Sequence, residues 1–258
     1  MASSPLPPVV PVPPPATPPM SEGARIINTF IAPSKTFLDL GAHAKWWSWV
    51  TPWLLVSAVA IFFAYAVGEK ITFAKAGDNV LQTRPKQYDR IQAMKPEDRD
   101  KTMQAVEKQT KVGAYSFPLV DIIILVIVAA ALLASFTFIA NAKLSFKLVL
   151  AIVAYAGLPG AVRYLLAILT LYAGISPDTF NIQNPVATNL GALFNATDNP
   201  VLYAAASFVD IFAIWTLVLS AIAFTRVSKA KLGTSLIIVF AWYLVFAGLI
   251  VGITALAA

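Results

Sequence analysis

Residues 203–224 read YAAASFVDIFAIWTLVLSAIAF, and the fold turns on how this stretch is placed. A hydrocarbon layer about 30 Å thick is crossed by roughly 20 apolar residues in a helix. The run supplies them between the turn signal Asp198-Asn199-Pro200 and a basic stop formed by Arg226, Lys229 and Lys231. It predicts a transmembrane helix over 202–224 with one carboxylate, Asp210, near its middle. A charge at that depth is costly, so Asp210 is a candidate functional residue.

The whole composition supports lipid as the solvent. Of 258 residues 58% are hydrophobic and 12% charged, against about 25% charged in ordinary globular chains. The chain has no cysteine, which excludes disulfides, thiolate catalysis and cysteine-ligated metals. Its single histidine, His43, excludes histidine clusters. No cofactor is expected. The net charge of +6 is spread over loops beside apolar runs with no aromatic-interleaved basic patch, so no nucleic-acid partner is expected either.

Outward from the organising stretch, the chain reads as an all-α polytopic membrane protein with five spans, at about 50–67, 118–140, 146–172, 202–224 and 234–256. Residues 1–20 form a proline-rich tail, half proline between Ser3 and Pro19, which is expected to be disordered and extended. No apolar signal core precedes the spans, so the N-terminus is expected in the cytoplasm. From Ser21 a short amphipathic helix carries Ile26, Ile27, Phe30 and Ile31, and Pro33 stops it. With the tryptophans between His43 and Trp53, it suits the headgroup layer, and His43 reads as a bystander there.

Residues 69–117 form the one long polar loop, holding ten Lys/Arg and seven Asp/Glu. Within it, Pro96 to Lys111 predicts a charged surface helix. The third span contains Gly157, Pro159, Gly160 and Arg163, so a kink is expected where proline removes a ladder bond. Residues 175–200 read as an outer loop without Lys or Arg, containing a glycosylation-like Asn195-Ala196-Thr197. Small residues at Ala204–Ser207 and the Gly248/Gly252 spacing favour close helix packing, first within the chain and then between copies.

Lysine and arginine counts set the orientation. The N-terminal region carries three, the loop 141–147 two and the loop 225–233 three, whereas 173–200 carries none. These three basic segments therefore belong in the cytoplasm. The ten basic residues of the first loop argue the other way, but several lie far from the span ends.

Arg163 lies nine residues before Tyr172 at the outer end of the third span, and Asp210 lies eight after Leu202. At about 1.5 Å per residue their depths match. They form a candidate intramembrane polar pair, read first as a structural bridge and second as part of a relay.

The segment Arg25-Ile26-Ile27, Phe30, Ala32-Pro33-Ser34-Lys35-Thr36-Phe37, followed by tryptophans and Pro52-Trp53, resembles the opening of the Yip domain (YIPF-like) family of integral membrane proteins. The passage Val209-Asp210-Ile211-Phe212-Ala213-Ile214-Trp215 through Leu219, with Ser228-Lys229-Ala230-Lys231, is similar to that family's bacterial branch. The resemblance covers about residues 21–256. It implies a five-span domain with a cytoplasmic N-terminus, and it marks Pro33, Phe37, Asp210 and Trp215 as family positions. Eukaryotic relatives bind lipid-modified Rab GTPases in vesicle traffic, but this chain carries no Rab-binding motif to transfer, and a bacterial inner membrane is the expected location.

The expected function is non-enzymatic: a protein that scaffolds or organises membrane components, its partners being the bilayer and other membrane proteins or a second copy. A small transporter or permease subunit using the Arg163–Asp210 pair is the alternative, and a Rab-linked traffic factor a third if the chain is eukaryotic. No GxSxG, HExxH or carboxylate dyad sits in a span to support an intramembrane enzyme.

Overall fold

The computed structural model describes residues 18–257; the tail expected over 1–20 lies outside the described residues up to residue 17. Five helical stretches are long and apolar enough to cross a membrane: Val50–Lys70, Phe117–Ala140, Phe146–Tyr172, Ile211–Ser228 and Leu232–Leu256. No strand occurs among the described residues, only an isolated antiparallel bridge between Asn189 and Asp210.

Two short helices open the chain. Helix α1 (Glu22–Ile31) is capped by Ser21, whose Oγ accepts the Ala24 N–H at 3.2 Å. Helix α2 (Pro33–His43) starts on Pro33, where the missing N–H has no helical partner to lose. Phe37 and Leu40 are fully buried in the main core. Helix α1 faces inward with Arg25 and Thr29 and outward with Ile27 and Ile31, which are 59% and 75% exposed. Ile26 and Phe30 pack on the main core between these two faces, and the exposed isoleucines suit a helix lying against lipid.

The first span is α3 (Val50–Lys70). A helical cap follows, made of α4 (Phe73–Gln82), α5 (Pro85–Gln92) and α6 (Pro96–Tyr115). Helix α6 buries no residue on the bundle, whereas α4 buries Phe73, Ala76 and Leu81. Gly77 sets the spacing of the two: a Cβ there would come within 2.8 Å of both Val106 Cγ1 and Thr110 Oγ1. Gly77→Val is therefore expected to destabilise the cap by about 2 kcal/mol through overpacking. Faster proteolysis within 73–115, with the spans still protected, is the readout.

The second span, α7 (Phe117–Ala140), ends on Asn141 in the left-handed region at φ 48. The third is broken as its glycines and proline require, into α8 (Phe146–Ala156) and α9 (Pro159–Tyr172). Helix α8 is the most enclosed element, with Val149, Ala151, Ile152 and Tyr155 fully buried. After a long loop come α10 (Pro200–Ser207), α11 (Ile211–Ser228) and α12 (Leu232–Ala257). Phe136 and Phe224 stack 4.0 Å apart between the second and fourth spans. Ile123, Ile127 and Phe138 on α7 and Ile237, Leu244 and Leu249 on α12 are exposed. Large apolar surfaces of this kind require a lipid solvent.

The bundle has two unlike ends. At one, α2 lies against α11, and Arg226 Nε donates to Ser34 Oγ at 3.1 Å beside the short turns after α7 and α11. At the other, the cap meets the long loop: Asn79 Nδ2 donates to the carbonyls of Pro177 and Phe180 at 2.7 Å each, and Lys75 pairs with Asp178 at 2.7 Å.

Two expectations need correction. The fourth span does not run unbroken over 202–224; it starts at Ile211, and Asp210 is its N-cap rather than a mid-helix residue. The loop 175–200 is not simply an outer loop. Phe180 and Val186 are buried in a cluster with Phe63, Val67, Ala167 and Leu171, so the loop inserts between the spans.

Candidate functional site

The inserted loop and the broken fourth span explain one another. Asp210 adopts an extended backbone, and its Oδ1 accepts the N–H groups of Phe212 at 2.9 Å and Ala213 at 3.0 Å. Its Oδ2 accepts from Thr188 Oγ1 at 2.7 Å. The loop completes the seam on the backbone, where Leu190 N–H donates to Val209 O and Ile211 N–H to Thr188 O. Non-helical backbone inside a membrane protein survives only with its polar groups satisfied by protein or by a water-filled cavity. Asn181, Asn184, Asn189 and Tyr203 extend the hydrogen-bonded lattice around this seam.

Beside the seam lies a cavity of about 480 Å³. Its walls include Gly157, Gly160, Arg163, Asn184, Asp210 and Tyr243. Tyr243 Oη donates to the Phe208 carbonyl at 2.7 Å, which ties the break to the last span. Counting about 1.5 Å per residue from Phe146, the cavity reaches from roughly the middle of the third span towards its outer end.

Arg163 and Asp210 thus meet at one cavity but form no ion pair. The ion pairs among the described residues are Arg25–Glu22, Arg25–Asp39, His43–Asp39 and Lys75–Asp178. Asp210 spends its oxygens on the helix cap and Thr188, and the buried Nε of Arg163 has no hydrogen-bond partner. Of the family-marking positions, Pro33 begins α2 and Phe37 is core. Trp215 on α11 meets Phe30 edge-on at 5.5 Å, joining α1 to the fourth span.

A second polar centre was invisible in the sequence. Arg25, only 4% exposed, reaches Glu22 Oε1 and Asp39 Oδ2, each at 2.6 Å. Asp39 also accepts from the Met20 N–H, and His43 Nδ1 lies 3.0 Å from it. Tyr155, on the buried α8, donates its hydroxyl to Glu22. The local signals were the Glu22/Arg25 spacing of three residues and the Asp39/His43 spacing of four; the rest joins residues up to 133 apart. The network fixes the helix pair to the third span.

Burial pushes the Asp39 carboxyl up, but hydrogen bonds from the Met20 N–H, Arg25 and His43 outweigh it and hold the group below its ordinary value. Burial likewise lowers Arg25, but the Asp39 hydrogen bond together with the negative charges of Asp39 and Glu22 outweighs it, leaving the guanidinium raised. A depressed carboxyl stabilises the fold above its unfolded value and loses that contribution as pH falls through the folded one. Docking of α1 and α2 is therefore expected to hold from neutral pH down to about pH 4 and to loosen below it. Protease cleavage between residues 20 and 49, measured across that range, checks it.

The fold and these centres define a polytopic helical membrane protein of five spans. The Yip1 domain model matches residues 27–253, and the chain belongs to that family. Comparison with curated proteins and with solved structures returned no match. The family match names no branch and does not support a bacterial origin.

Proposed function

We propose that this Yip-family protein is a non-enzymatic scaffold that gathers other membrane components, or further copies of itself, at the end of the bundle bearing α1 and α2. One observation carries the reading: the helix pair is held rigidly to the spans by a buried ionic network while Ile27, Ile31, Leu38, Trp46 and Trp47 stay exposed. A segment serving only as a surface float needs no such fixed orientation. The same end holds eight Lys/Arg, from Arg25 to Lys231, against two acidic residues, Glu22 and Asp39. By the positive-inside rule it faces the cytoplasm.

A photo-crosslinking residue at Ile31 or Leu38, activated in native membranes, tests the reading. Discrete adducts to membrane proteins or to a second copy support it; adducts to lipid alone overturn it. Orientation is tested separately, because the cysteine-free chain accepts a single cysteine at Lys35 or Lys101 for labelling with an impermeant maleimide.

The cavity favours a second reading, a small transporter subunit. Flux in proteoliposomes that is lost in Asp210→Asn, with the fold retained, would support it; absence of flux under every imposed gradient counts against it.

A further inference from the structure

Arg163 is the one basic residue lying away from the ends of the five spans, and it takes part in no ion pair among the described residues, its buried Nε being without a hydrogen-bond partner. A guanidinium stays charged at any accessible pH, and holding a half-buried one at this depth without a counter-charge is expensive. The nearest carboxylate lining the same cavity, Asp210, already has three donors on its two oxygens. Space has been left as well: a Cβ built on Gly160 meets nothing within 4 Å. The cavity is polar along Arg163, Gln183 and Asn184 and apolar along Phe208, Phe212 and Leu217. That division matches a ligand with an anionic head and a hydrocarbon body.

We propose that the cavity is a binding site for an anionic phosphate group, placed on the guanidinium of Arg163, and that an acidic phospholipid supplies it from the surrounding bilayer. Arginine suits this role because its planar fork matches phosphate oxygens in pairs. The phosphate furnishes the missing counter-charge, and the acyl chains lie on the phenylalanine wall. The inference is independent of the scaffold reading, since it concerns the opposite half of the bundle from α1 and α2.

The test is native mass spectrometry of the full chain released from detergent after equilibration with phosphatidylglycerol, phosphatidylcholine or inorganic phosphate. The wild type is expected to retain phosphatidylglycerol in preference to phosphatidylcholine. Arg163→Gln should reduce that retention about tenfold, the loss of one charge-assisted contact, while Lys143→Gln at the other end leaves it unchanged. Gly160→Leu fills the cavity without touching the charge and should abolish retention; it keeps the proposal testable if Arg163→Gln does not fold. Retention of inorganic phosphate that depends on Arg163 shows the same anion site fed from water. Equal retention by wild type and folded Arg163→Gln, or an equal loss in Lys143→Gln, overturns the site.

Discussion

Replacing Asp210 with alanine is expected to destabilise the protein by about 3 kcal/mol. The cap itself contributes about 1–2 kcal/mol, because two N–H groups at the start of α11 lose their acceptor. The Thr188 hydroxyl then loses its partner in a part-buried site, which adds about 1 kcal/mol or more. Asp210→Asn keeps an acceptor oxygen for the cap and should cost about 1 kcal/mol. The ratio is the informative result. If the two variants unfolded alike in detergent, with midpoints compared by circular dichroism, the carboxylate would be acting through its charge and not as a cap. The alanine variant removes the device that separates α10 from α11, so the inserted loop should also become cleavable near Asn189.

Asp39→Ala is expected to cost about 3 kcal/mol and to release the N-terminal helix pair. Removing one partner of a buried ion pair leaves the other uncompensated, and Arg25 is 4% exposed with only Glu22 remaining. The Met20 N–H and His43 lose an acceptor in the same step. Replacing the pair together, as Arg25→Met with Asp39→Leu, should restore much of the stability because no bare charge remains. Release is read as protease cleavage between residues 20 and 49 at neutral pH, where the wild type is protected. The double variant should regain that protection.

Much of the plan was legible because a bilayer imposes simple rules. Length and hydropathy place the spans, Gly157 and Pro159 foretell the break in the third, and Pro33 separates the two N-terminal helices. The fourth span misled for a physical reason. Tyr203 to Phe224 is apolar enough for one unbroken span, and its one local break signal is Asp210, a residue type that caps helix starts. The decision lies with Thr188, twenty-two residues upstream, whose hydroxyl and carbonyl engage Asp210 and Ile211. Helix α1 was legible as an amphipathic headgroup-layer helix, but not which residues tie it down: Ile27 and Ile31 stay exposed, Ile26 and Phe30 pack on the core, and Arg25 turns inward to Asp39.

The sequence by itself determined the solvent, the number of crossings and the basic end, since these depend on composition summed over whole segments. Tertiary structure alone decided where the fourth span begins, that the long loop inserts, and that Arg163 faces a cavity without a carboxylate partner. Those outcomes depend on which of a few polar groups finds which, and in a bundle of apolar helices that choice is made by neighbours distant along the chain.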